Sequence, residues 1–129
     1  MPLIKIDVVK GRSDEEIKLL LDTAHEAVVG AFGVPVTDRY QVLTQHAENE
    51  IVIMDTGLGI KRSRQFVLFT IVSMPRNAEK KQRLYKLLTE KLQQRLQIKP
   101  EDVMVSIVCN EGCDWSFGLG EAQFITGKL

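Results

Sequence analysis

The chain has only two cysteines and two histidines in 129 residues, too few for most metal chemistry. Cys109 and Cys113 lie four apart, not in a Cys-x-x-Cys, and neither has a histidine near it. A structural zinc site takes four such ligands at characteristic spacings. The residues read instead as two reduced thiols and two incidental histidines, His25 inside a helical pattern and His46 in a polar stretch. No metal and no cofactor is expected. Net charge is missing too, since 17 Lys and Arg balance 17 Asp and Glu. That removes a general electrostatic reason to bind nucleic acid or an anionic membrane. It also leaves little repulsion to oppose self-association. No apolar run approaches the ~20 residues of a transmembrane span, and the N-terminus lacks the layout of a signal peptide. The expectation is a soluble, cytoplasmic protein with no nucleic-acid and no membrane partner.

At 44% hydrophobic and 26% charged, the composition is that of an ordinary globular domain. The length fits one domain over 1–129, able to bury roughly two thirds of its unfolded surface. Residues 3–9 are β-branched and partly alternating, which predicts a strand. Ser13 is a good N-cap, and Glu16 three residues on completes a capping box. Ile17, Leu20, Leu21, Ala24, Val28 and Ala31 then recur at helical spacing, until Gly33 and Pro35 end the helix. Residues 39–44 read as a second strand. The same layout returns: a strand at 66–73, the N-cap candidate Asn77, a leucine-marked helix, a turn at 98–102 and a strand at 103–108. A slide of 64 positions sets Arg12 on Arg76, Ser13 on Asn77, Leu20 on Leu84 and Asp38 on Asp102. The pattern reads as an internal duplication, with units of about 1–64 and 65–129.

A strand–helix–strand unit pairs its strands parallel through a right-handed crossover. Two such units make an α+β (α/β) fold, a four-stranded, mainly parallel sheet with both helices on one face. Its other face, carrying apolar residues but no helix, needs another cover. A second copy of the chain is the natural one.

Pro2 is the first chemical candidate. Loss of Met1 would expose a secondary amine, and α-amino groups titrate at about 7.7–8.0. Such a nitrogen serves as general base or acid near neutrality, whereas with Met1 retained it is an amide without basicity. Gly57-x-Gly59, followed by Lys61, Arg62 and Arg64, hints at a phosphate loop but lacks the strand and helix of one. Arg12 and Arg76 occupy equivalent places before the two helices, and a guanidinium offers bidentate donors to a carboxylate. Asp38 and its mate Asp102 both open strands, which points partly to turn building. Trp115 and Phe117 read as core aromatics or as the wall of a small pocket.

Pro2-Leu3, Gly11-Arg12, Ala31-Phe32-Gly33-Val34-Pro35, Asp38-Arg39-Tyr40-Gln41, Asp55-Thr56-Gly57-Leu58-Gly59 and Asp114-Trp115-Ser116-Phe117-Gly118 together resemble the tautomerase superfamily, and within it the malonate semialdehyde decarboxylase group. The resemblance covers nearly the whole chain and implies a homotrimer whose sheets pack into a central barrel. It implies Pro2, Asp38 and Arg76 as catalytic residues. Arg76, Met74, Trp115, Phe117 and Tyr40 would contact a small carboxylate substrate. In that group two arginines follow the third strand, and here Met74 stands where the first is expected. The implied activity is cofactor-independent keto–enol tautomerisation of small 2-oxo or 3-oxo acids. The alternatives are decarboxylation or hydration with a cationic Pro2, or a non-catalytic trimeric binding protein if Met1 is retained.

Overall fold

The computed structural model describes residues 2–129. Strand β1 (Leu3–Val9), helix α1 (Asp14–Phe32) and strand β2 (Tyr40–His46) form the first unit. Strand β3 (Val67–Ser73), helix α2 (Ala78–Leu96) and strand β4 (Val103–Cys109) form the second, and a short helix α3 (Gln123–Thr126) follows. The expected caps are in place. Ser13 Oγ accepts from the Glu16 N–H at 3.2 Å while Glu16 Oε1 accepts from the Ser13 N–H. Asn77 Oδ1 accepts from the Lys80 N–H at 2.8 Å. Both helices end on a left-handed residue, Gly33 at φ 69° and Gln97 at φ 56°.

The sheet runs β2-β1-β3-β4, with both outer pairs parallel and the central pair β1·β3 antiparallel. The two units therefore meet head to tail. The starts of β1 and β2 lie at the same end as the finishes of β3 and β4, which decides where the site sits. Ile4, Ile6 and Val8 of β1 and Phe69 and Ile71 of β3 face the helices and pack with Leu20, Leu84 and Leu88, all 3% exposed or less. Each such side chain contributes about 1.5–3 kcal/mol of burial.

The helices and caps repeat at a spacing of 64, but β1 and β3 do not. Strand β1 buries Ile4, Ile6 and Val8, whereas β3 buries Val67, Phe69, Ile71 and Ser73. A slide of 64 lays buried Ile4 on half-buried Leu68 of the opposite face. Successive strand residues alternate faces, so the like-facing match pairs Ile4 with Phe69. The first unit thus carries one more residue between its strand and its N-cap.

The outer face is mixed, not uniformly apolar. Val42 (52% exposed), Met104 (41%) and Val108 (50%) lie among Lys5, Thr70 and Ser106. Asp7 Oδ1 meets His46 Nε2 there at 2.7 Å. No helix among the described residues is long and apolar enough to cross a membrane.

Candidate active site

The head-to-tail sheet gathers one end of each strand around Pro2. Pro2 is buried, and its neighbour Leu3 lies between Tyr40 of β2 and Val72 of β3. Beyond β4 the chain turns back across this end. The Trp115 ring stacks on Phe117 at 5.3 Å and 8°, and Phe117 meets Tyr40 at 5.7 Å. Phe124 of α3 packs edge-on against Phe117 at 5.8 Å. The indole of Trp115 donates through Nε1 to Asn110 Oδ1 at 2.8 Å, which satisfies its one polar atom. An open cavity of about 460 Å³ results, lined by Asp38, Tyr40, Phe117, Gln123, Lys128 and Leu129 among others.

Asp38 reaches this cavity from the turn between α1 and β2. That turn is closed by the Asp38 N–H donating to the Pro35 carbonyl at 3.0 Å. His25, 8% exposed on α1, lies with Nε2 at 2.6 Å from the Val36 carbonyl oxygen. A carbonyl only accepts, so Nε2 carries the proton. His25 is thus a strut under the Asp38 turn, more than the incidental residue its sequence context implies. His25→Leu is expected to destabilise the fold by about 1 kcal/mol, the net worth of the lost hydrogen bond. A lowered urea midpoint at unchanged slope checks this.

Arg76 follows β3 with its guanidinium 5.1 Å from the centroid of buried Phe32. Its Nε is buried with no hydrogen-bond partner among the described residues. Met74 is half-buried, and its carbonyl accepts from Ser73 Oγ at 2.9 Å. The structure therefore joins Asp38, Tyr40 and Phe117 in one cavity, with Trp115 stacked behind. Arg76 and Met74 stand at the same end of the sheet without lining that cavity. Gln123, Phe124, Lys128 and Leu129 are additions that sequence patterning missed.

At the opposite end of the sheet, the duplicated counterpart is partly filled by the chain itself, leaving a smaller cavity of about 190 Å³ bounded by Arg12, Arg64 and Gln65. Arg12 Nη2 donates to the Gln65 carbonyl at 2.7 Å. Desolvation pulls the Arg12 guanidinium below its ordinary pKa, against the raising fields of Glu16 and Asp102. Asp102, 2% exposed, accepts from Ser63 N–H at 2.7 Å and Ser63 Oγ at 2.6 Å. Asp102 and one edge of the Arg12 guanidinium are therefore taken up by the segment that enters β3. Arg12 also lines that cavity beside Lys10 and Arg64, so the two arginines differ in their surroundings.

The glycine loop is likewise occupied internally. Asp55 Oδ2 accepts from the Gly59 N–H at 2.7 Å, and Arg62 Nη1 donates to the Glu101 carbonyl at 2.6 Å. Desolvation pushes the Asp55 carboxyl up, but the N–H groups of Gly59, Ile60, Gly57 and Leu58 hold it below the ordinary range. Among the described residues, no three His, Cys, Asp or Glu side chains gather as metal ligands do.

A family model described as "Tautomerase enzyme" matches residues 38–118, and a second of the same description matches residues 2–61. A probable tautomerase of Bacillus subtilis, YrdN, is 51% identical over 129 residues, spanning 100% of both chains. A solved malonate semialdehyde decarboxylase is 53% identical, with 98% of each chain covered and a TM-score of 0.95. A fused 4-OT symmetric trimer matches 97% of this chain and 98% of its own at TM-score 0.78. At 20% identity, that last likeness concerns the fold alone.

Proposed function

Because this chain belongs to the tautomerase family, and is an enzyme of tautomerase or decarboxylase type, we propose that it interconverts keto and enol forms of small 2-oxo or 3-oxo acids through an N-terminal proline. The observation that carries this reading is the cavity where Asp38 and Tyr40 face the Phe117 wall, at the end of the sheet where β1 starts; Pro2 is buried at that end without lining the cavity. Loss of Met1, on which the amine of Pro2 depends, concerns a residue outside those described.

In ketonisation, neutral Pro2 takes the enol hydroxyl proton, and the O–H electron pair becomes the second bond of the carbonyl. The C=C pair then takes a proton from the prolyl cation to form the new C–H bond. Arg76 polarises the oxygen or holds the carboxylate, and Asp38 tunes Pro2 or orients a water. The stacked Trp115 and Phe117 give the cavity an apolar wall, beside which each of these electrostatic contacts is stronger than in water. No cofactor enters this scheme.

A homotrimer supplies the cover that Val42, Met104 and Val108 lack, and the trimeric 4-OT fold supports it. Two exposed free thiols, Cys109 and Cys113, suit a reducing cytoplasm.

A decarboxylase or hydratase reading has support from the 53% identical decarboxylase. There Pro2 stays cationic and Asp38 activates water. The pH profile of kcat/KM on phenylenolpyruvate tests between the two. A general base must be neutral, so activity is expected to fall as pH drops through the pKa of Pro2. Activity lost instead as pH rises through that pKa supports the cationic mechanism.

A further inference from the structure

We propose that Lys128 is the specificity residue of this site, its ammonium turning from Glu121 to the carboxylate of the bound substrate. The inference rests on the oxo-acid reading above and deepens it. Gln123 builds the position. Its side chain accepts from the Phe117 N–H at 3.0 Å and donates to the Gly118 carbonyl at 2.9 Å, locking α3 onto the aromatic wall. Its own carbonyl accepts from the N–H groups of Lys128 at 3.1 Å and Leu129 at 3.3 Å. Gly127, at φ 81°, supplies the left-handed turn that folds these two residues back. The backbone of Lys128 is thereby pinned at the rim while its side chain stays mobile.

A cation at the rim suits an anionic substrate. Asp38 lines the same cavity, so a carboxylate entering it meets a like charge. Among the residues that line the cavity, Lys128 is the one lysine or arginine. Its Nζ lies 2.5 Å from Glu121 Oε2, but both side chains are solvated, 58% and 37% exposed. A pair so exposed is worth little, and an ammonium has three donors to share. Exchange of Glu121 for the substrate carboxylate therefore costs little.

The test compares kcat/KM for phenylenolpyruvate with that for its methyl ester, an enol of the same shape without the charge. For Lys128→Ala, the acid-to-ester ratio is expected to fall about fivefold to tenfold, through KM. Lys128→Arg restores most of it. Glu121→Gln, which frees the ammonium, raises the ratio about twofold. Lys128 and Glu121 are both solvated, so these variants fold, and circular dichroism checks that. An unchanged ratio for Lys128→Ala, or equal losses on acid and ester, overturns the proposal. If the parent enzyme is active and Pro2-dependent while the ratio stays fixed, only this inference fails. If Pro2→Ala is fully active, the proline reading fails whatever Lys128 does.

Discussion

Pro2→Ala is expected to lose at least about a hundredfold in kcat on phenylenolpyruvate, the usual worth of a positioned acid–base group. KM should change little, because the contacts with the carboxylate and the aromatic wall remain. Alanine still permits removal of Met1 and still carries an amine, so the loss measures position and environment. The pyrrolidine ring ties the nitrogen back to its own side chain, so a freed prolyl amine has less rotational freedom than that of alanine. Its carbons also contribute to the burial of residue 2 at the start of β1. Burial of the freed amine would disfavour its cation, the direction a general base needs. A primary amine that rotates and hydrates freely forfeits both effects. Intact mass must show Met1 absent from parent and variant, and their oligomer sizes must agree. Equal rates for the two would sink the proline mechanism. A parent that keeps Met1 in full and is inactive would point to a binding protein.

Much of the fold was legible because its signals are local. Ser13 with Glu16, and Asn77, mark helix starts through hydrogen bonds spanning three residues. The leucines of α2 show a 3.6-residue period wherever the helix lies. Strand limits were close, 39–44 against Tyr40–His46 and 103–108 against Val103–Cys109. The gapless slide of 64 failed at β1 and β3 for a physical reason. Helix caps fix the phase of the helices, but one extra residue before Ser13 exchanges the two faces of β1. At the site, Asp38, Tyr40 and Phe117 were reached through family motifs, not through any period. Gln123, Phe124 and Lys128 escaped notice because side-chain amide bonds to Phe117 and Gly118 position them. Those bonds join residues in irregular backbone, where no pattern announces them. The burial of Asp102 was equally hidden, since its partner Ser63 is 39 residues away.

Asp102→Ala is expected to cost about 3 kcal/mol of stability, within the range for breaking a buried charged contact. The carboxylate is 2% exposed and accepts both the N–H and the hydroxyl of Ser63. Alanine removes the shared acceptor of both Ser63 donors and empties the closed pocket that held the carboxylate. Ser63→Ala removes only the hydroxyl and should cost about 1 kcal/mol. In the double variant the costs should not add, because both acts break one contact. The released stretch 63–65 also holds Arg12 through the Gln65 carbonyl, so loss of protection from hydrogen exchange should spread to that end of the sheet. The effect should stop there. Pro2, Asp38 and Arg76 lie at the far ends of the same strands, so kcat/KM on phenylenolpyruvate should hold within about twofold, since distant sites act independently. An Asp102→Ala protein as stable as its parent would mean that the filled end of the sheet contributes nothing to the fold. The expected outcome assigns the two ends of a duplicated sheet different work. One end holds the larger cavity, and at the other the segment that enters β3 takes up the Asp102 carboxylate.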